Sequence, residues 1–241
     1  MDPVLIAGIV LIALLVGVSV LQRVFAGRQA AVERALPNVP ALAALALSET
    51  EYPAGYSIHY RGPVTNDRLA HDSDDEDATF AEVDSAGRVI GYRQAFRDPR
   101  SFGEIRDVLL NLTLRRSAQQ KQIDIEIVLF EDHEGAREGI DEDLPPNPNL
   151  DDDGNSLEVS NVDGHGLDFA ASVRQWSRKS PEGRELQRKV EVRWQEGRLG
   201  CFVTVDSEPP GAIEPDTAFQ LARRVHERAA ASELRAEALP A

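Results

Sequence analysis

The chain has 241 residues, 41 of them acidic and 26 basic, for a formal net charge of −15. So acidic a chain repels phosphate backbones, which excludes nucleic acid as a partner class. A single cysteine, Cys201, excludes an intrachain disulfide and any CxxC metal knuckle, and its neighbours Phe202, Val203 and Val205 mark it as a small hydrophobe of a strand.

Val4 to Leu21 reads VLIAGIVLIALLVGVSVL, without one charge. About 20 apolar helical residues span a hydrocarbon core, so residues 1–22 are predicted to form one transmembrane helix and the protein is expected at a membrane as a single-pass chain. A cleaved signal peptide would need a basic n-region and a shorter apolar stretch, whereas Met1-Asp2-Pro3 has no Lys or Arg. Ala13 and Gly17 form one small-xxx-small pair, a spacing that lets two such helices approach closely. Arg23, Arg28 and Arg34 follow the run while only Asp2 precedes it. That asymmetry favours the cytoplasmic side for the large domain, the extracytoplasmic side being the alternative.

Residues 23–50 are a juxtamembrane connector. Helix formers run from Arg23 to Leu36, Pro37 and Pro40 interrupt them, and Ala41 to Leu47 is expected to pack as a short helix on the domain. Within a domain at 51–232, Tyr56, Ile58 and Tyr60 alternate with polar residues as a strand. His71 to Asp77 is an acidic loop. Ala78–Val83 and Val89–Phe96 read as a hairpin, with Gly87 supplying its turn. Leu110, Leu112 and Leu114 alternate as a strand, although leucines also suit a helix. Gln122–Leu129 is a strand with Ile123, Ile125 and Ile127 on one face, Asp132–Ile140 is a short helix, and Pro145 to Asn149 is a loop.

The second half continues with strands at Gly166–Trp176, Leu186–Trp194 and Leu199–Val205, the last two joined by a turn at Gln195-Glu196-Gly197-Arg198. A terminal helix starts near Pro215, whose fixed φ suits the first helical position. Ala218, Leu221, Ala222, Val225 and Ala229 line one stripe of it. Residues 233–241 read as a flexible tail. The fold class is therefore α+β, an antiparallel sheet with packed helices. The tetrads Ser-Ala-Gly-Arg at 85–88 and Gln-Glu-Gly-Arg at 195–198 hint at an internal duplication.

LSETEYPAGYSI at 47–58, GRVIGYRQAF at 87–96, IDIEIVLFEDHEGAREGI at 123–140, and GRLGCFVTV with its following helix at 197–229 give a pattern that resembles the PsbP-like α+β sandwich. That resemblance implies partner binding or assistance in assembling larger complexes, although a fold does not dictate function. Tethered bacterial relatives carry a lipobox cysteine, and this chain does not.

Asn149, Asp151, Asp153 and Asn155, with Gly154 among them, match the first half of a calcium loop. Position twelve is Ser160 where a bidentate Glu belongs, so a solvated acidic turn competes with that reading. His59, His71, His133, His165 and His226 never fall at metal spacing, and His226 reads as a surface residue. Asn111-Leu112-Thr113 matches a glycosylation triplet. No nucleophile elbow or phosphate loop is present, so neither an enzymatic activity nor a cofactor is expected. Trp176 and Trp194 end predicted strands, as sheet packing or as interface anchors. These readings together point to a non-enzymatic, membrane-anchored interaction or assembly subunit with a protein partner in a membrane complex. The alternative is a small-ligand- or calcium-binding sensor domain.

Overall fold

The computed structural model describes residues 32–71, 76–97, 120–140, 149–150, 154–162, 166–208 and 215–236. The chain divides into two units, Met1–Asn38 and Val39–Ala241. Of the first, residues 32–35 are helical and Leu36–Asn38 forms a 3-10 turn, tied by the Asn38 amide donating to the Ala35 carbonyl at 3.3 Å. The apolar run 4–21 lies outside the described residues. Among those described, no helix is long and apolar enough to cross a membrane.

The second unit is α+β. Its strands are β1 (Ser57–Val64), β2 (Arg88–Arg97), β3 (Gln120–Phe130), β4 (Asn149–Leu150), β5 (Ser156–Asn161), β6 (Ser172–Lys179), β7 (Glu185–Glu196) and β8 (Leu199–Glu208). They form one antiparallel sheet in the order β1-β2-β3-β8-β7-β6-β5-β4, seven full strands and the two-residue β4. Two meanders, β1 to β3 and β4 to β8, thus meet where β3 pairs with β8, Ile125 opposite Val203.

Strand alternation divides the sheet into two unlike faces. The inner face carries Ile90, Tyr92 and Phe96 of β2, Ile123, Ile125, Ile127 and Leu129 of β3, Val190, Val192 and Trp194 of β7, and Leu199, Cys201, Val203 and Val205 of β8, all buried. Two helices cover it: α1 (Val39–Leu45), through Leu42 and Leu45, and the terminal helix, through the stripe Ala218, Leu221, Ala222, Val225 and Ala229. The outer face is polar and carries the short helices α2 (Asn66–His71), α3 (Glu76–Ser85) and α4 (His133–Ile140). The terminal helix, Pro215–Ala231, is α5.

Several expectations agree with these elements, and others are corrected. The strand at 122–129, the helix at 132–140, the turn at 195–198 and the striped terminal helix are all present. Residues 78–83, however, belong to a helix instead of a hairpin strand. Glu76, Ala78, Ala81 and Glu82 carry high helix propensity, and six residues of alternation are too few to decide the period. Gly87, at φ +66°, consequently ends a helix: its N–H donates to the Asp84 carbonyl at 2.9 Å, a left-handed C-terminal cap. The tetrads at 85–88 and 195–198 therefore occupy different contexts, a helix-to-strand turn and a hairpin, which removes that argument for a duplication. The strand expected from Gly166 begins only at Ser172. Ser156–Asn161 forms a strand in a stretch read as the end of a calcium loop. Ser232 caps a 3-10 turn over Glu233–Arg235 that buries Leu234, so the expected tail is packed down at its start. Residues 108–114 lie outside the described residues.

Within the second unit, the segment after α1 is stitched to the sheet through a side chain. Gln94 is fully buried on the inner face; the Leu47 N–H donates to its Oε1 and its Nε2 donates to the Leu47 carbonyl, both at 2.9 Å. Nearby, the 3-10 turn Glu49–Glu51 is held to α5 by the Arg228 guanidinium, which donates to both Glu51 oxygens and to the Ala46 carbonyl.

Arg228 and Ser48 hold the Glu51 carboxyl at about 2, well below its ordinary value of 4.5. The charged form is thus favoured in the folded state. Its stabilisation is fully present above pH 4.5 and is lost as pH falls toward 2. Both side chains are about a quarter exposed, so solvent screening limits the effect, and Glu51→Gln is expected to cost about 1 kcal/mol at pH 7. Urea unfolding should show that difference shrinking as pH is lowered from 4.5 to 3; a pH-independent difference would contradict the ion-pair assignment.

Candidate ligand-binding cleft

The outer face holds two buried arginines that define a cleft. Arg88 opens β2 at an irregular step in the pairing with β3, between Arg88 and Ile90, that turns its side chain outward. It is 8% exposed. Its Nη1 donates to Asn66 Oδ1 at 2.6 Å, and its Nη2 donates to the Val64 carbonyl at 3.1 Å and to Glu126 Oε1 at 3.3 Å. The Asn66 amide returns a bond to the Arg88 carbonyl at 2.7 Å. Burial pushes the Arg88 guanidinium below its ordinary pKa, and Glu126 opposes that shift. Gly91 provides the room: a Cβ there would lie 2.5 Å from Arg88 Nη2 and 2.9 Å from Glu126 Oε1. Arg88 therefore ties the start of α2 and the end of β1 to the centre of the sheet.

Arg193 does the same on the other side. It is 4% exposed on β7. Its Nη1 donates to the Ile140 carbonyl at 2.8 Å, satisfying the end of α4, and its Nε donates to Glu191 Oε1 at 2.8 Å with Nη2 on the same carboxylate. Lys189 Nζ lies 3.8 Å from the other Glu191 oxygen. Each arginine is a desolvated charge with fixed partners, an arrangement that suits a planar fork of donors.

Between the two anchored helical flaps lies a cleft of about 690 Å³. Val128, Phe130 and Phe202 make its apolar floor, and Phe130 packs with Val128 and Ala136 of α4 in a cluster separate from the main core. Leu69 and Val83 line it from α2 and α3, while Glu82, Glu126, Glu138 and Glu191 place carboxylates around it. A second cavity of about 340 Å³ continues toward β1, sharing Leu69 and Glu126 as its border. Arg68, Arg93, Arg97 and His59 surround that smaller lobe. Arg93 binds Asp124 through Nε at 2.8 Å and Nη2 at 2.6 Å. Arg68 lies over the Tyr60 ring at 4.5 Å and donates to its hydroxyl at 2.7 Å.

The residues singled out from sequence lie elsewhere. Of the calcium quartet, Asp151 and Asp153 fall outside the described residues; the backbone of Asn149 is in β4 and Asn155 is buried just before β5. Among the described residues, no group of three or more His, Cys, Asp and Glu is arranged to hold a metal. Trp194 is 2% exposed, packed against Phe169 at 5.2 Å between centroids. A side chain so enclosed presents no surface to a partner, which corrects its reading as an interface anchor. Trp176 is half-buried on the outer face with Lys189 over its ring at 4.7 Å. His226 is not a surface residue: its ring stacks on Phe169 at 4.0 Å and its Nδ1 sits 3.5 Å from Glu196 Oε2. Cys201 is fully buried; desolvation, with the Glu196 charge adding to it, raises its thiol pKa far above the ordinary value. The cleft-lining Arg88, Glu126 and Glu191, and Arg193, which bonds the end of α4, belong to no motif of the sequence. Glu126, Glu191 and Arg193 alternate with the buried inner positions and so read as ordinary solvent-facing charges, while Arg88, two residues before Ile90, falls in phase with the buried face.

No family model matches this chain, and no curated protein matches it. Among solved structures, the extracellular domain of PknH from Mycobacterium tuberculosis is similar at 10% sequence identity with a TM-score of 0.47, over 80% of this chain and 95% of that one. The comparisons give no link to the PsbP-like sandwich. The level at which that resemblance holds is the α+β class.

Removing one member of a buried pair leaves an uncompensated charge, whereas replacing both leaves none. Arg193→Met is therefore expected to destabilise the domain by about 3 kcal/mol, and Arg193→Met with Glu191→Leu to recover most of that loss. Equilibrium urea unfolding of both variants measures the difference; equal losses would show that α4 anchorage, not charge burial, dominates.

Proposed function

We propose that this protein is a non-enzymatic ligand-binding domain of the sensor type, held at a membrane by the apolar run Val4–Leu21, with the outer-face cleft as its binding site. The observation that carries the reading is the cleft of about 690 Å³ framed by two helical flaps, each pinned by a buried arginine. Its volume falls within the range of small-molecule sites, and its mixture of an apolar floor with a few fixed charges is the composition such sites use. The flap anchors keep the walls in place without filling the space between them, so binding costs little ordering.

An assembly subunit needs a contact surface instead. Among the described residues of the second unit, Ile58 is the exposed large hydrophobic, and an interface core is built from more than one such anchor. A catalytic reading has less support. The His226 imidazole is covered by Phe169, and the Cys201 thiol is buried and held protonated.

A thermal-shift screen of the domain against a metabolite and peptide collection tests the site. A ligand at a hundredfold over its Kd is expected to raise Tm by about 5–10 °C. Thr204→Trp, which fills the cleft floor, should abolish the shift while leaving the unliganded Tm close to its original value. Persistence of the shift in Thr204→Trp would place binding elsewhere.

The charge asymmetry across residues 4–21 supports a cytoplasmic domain. Protease added to intact cells should then spare residues 22–241 and digest them only after lysis. Digestion before lysis would assign the domain to the extracytoplasmic side.

A further inference from the structure

Four carboxylates line the outer-face cleft of about 690 Å³, and they differ in what they already hold. Glu126 is paired with Arg88 and Glu191 with Arg193, so each carboxylate on a strand is matched by a buried guanidinium. Glu82 on α3 and Glu138 on α4 are exposed, and among the described residues neither carboxylate has a hydrogen bond or an ion pair. Arg88 is the cation of the described lining, and its terminal nitrogens are committed, Nη1 to Asn66 and Nη2 to the Val64 carbonyl and Glu126. A separate observation is the apolar surface that borders the same space. Leu69 of α2, Val83 of α3 and Phe202 of β8 are only half-buried there, although Val128 and Phe130 beside them are covered. Half-buried apolar side chains around a cavity gain by contact with an apolar body that displaces water.

We propose that the cleft takes a small amphipathic organic cation: an ammonium group at the rim between Glu82 and Glu138, and an aliphatic or aromatic body laid on Phe202, Leu69 and Val83. This rests on the reading of the cleft as the ligand site and names the class that the site accepts. The two parts of the ligand have different work. Exposed ion pairs contribute little on their own, so a hydrated cation without an apolar body gains almost nothing from the rim. The apolar lining supplies the affinity, and the two unpaired carboxylates decide the sign of charge that can accompany it. A neutral compound of the same shape gains the lining without the rim. An anion of that shape is repelled by both glutamates and finds neither terminal nitrogen of Arg88 free to receive it.

The test is isothermal titration of the full chain in nanodiscs of neutral lipid, with empty nanodiscs as the blank. Three probes share one body and differ in charge: phenylbutylammonium, phenylbutanol and phenylbutanoate; a fourth, butylammonium, keeps the charge and drops the ring. At low ionic strength the ring ammonium is expected to bind about tenfold more tightly than the alcohol, and the carboxylate about tenfold more weakly than the alcohol. Butylammonium should bind more weakly than the alcohol, and added salt should narrow the spread among the three ring compounds. The double variant Glu82→Gln with Glu138→Gln should bring those three to within about twofold of one another while leaving the alcohol's affinity where it was. Its Tm should not move, because neither carboxylate has a partner in the fold. Equal affinity of the three ring compounds for the native chain overturns the proposal, and so does an ammonium preference that survives the double substitution. If none of the four probes binds while other compounds produce a shift that Thr204→Trp removes, the cation assignment is wrong and the cleft stands. If Thr204→Trp removes the binding of no compound at all, both are wrong.

Discussion

A guanidinium taken out of water must find partners for its donors, and two such groups determine what the outer face of this sheet can be. Arg88 and Arg193 are both nearly inaccessible, yet each sits on the polar side of the sheet, where a strand side chain would ordinarily meet solvent. They are buried because helices lie over them, and the helices stay there because the arginines bond their ends: Asn66 at the start of α2 and Ile140 at the end of α4. The dependence is mutual. Without the flaps the arginines would be ordinary surface residues, and without the arginines the flaps would lose the bonds that tie the start of α2 and the end of α4 to the sheet. Buried ion pairs add little net stability compared with apolar packing, so what this arrangement supplies is geometry: walls at fixed positions with open space between.

The inner face follows a different logic. It is almost wholly apolar, and α5 brings small residues to it, Ala218, Ala222 and Ala229, so that the helix packs close to the strands. The exception is Gln94, whose amide copies a peptide group and pairs with the Leu47 backbone. Leu47 thereby gains sheet-like bonding at a place where no strand runs, and a buried backbone that would otherwise go unsatisfied is accounted for. The apolar face thus carries the stability and the polar face carries the cavity, which lets the second vary without dissolving the first.

How much of this could be read from the chain depends on the range of each signal. The isoleucines of β3 and the stripe of α5 repeat within a few residues, and both elements were legible with their buried faces correct. Residues 78–83 were misread because Ala, Thr, Phe, Ala, Glu and Val satisfy two periods at once over so short a window, and Gly87 closes a helix as readily as a hairpin. Gly166 to Phe169 alternates like a strand but is a loop held by Phe169 on His226 and by Arg223 on the Gly166 carbonyl. The cleft was not legible at all. Glu126 and Glu191 come within one strand of each other only because β8 inserts between β3 and β7, and no local pattern announces which strands become neighbours.

The same insertion has a consequence for how the chain reaches its native state. During synthesis the first meander, β1 to β3, emerges with the apolar inner face of β3 covered by nothing but the short helix α1 and with its edge unpaired. The strand that pairs with that edge, β8, is the last of the sheet, and α5, which covers the inner face, follows it. Joining Ile125 to Val203 therefore closes a loop containing nearly half the sheet, a high contact order that makes folding slow. In the interval an isoleucine-rich strand offers unpaired N–H and C=O groups to any neighbouring chain, a template for misassociation. The alternating Asp124 and Glu126 on its other face put negative charge along that exposed edge, and like charges on two such nascent strands repel one another until β8 arrives.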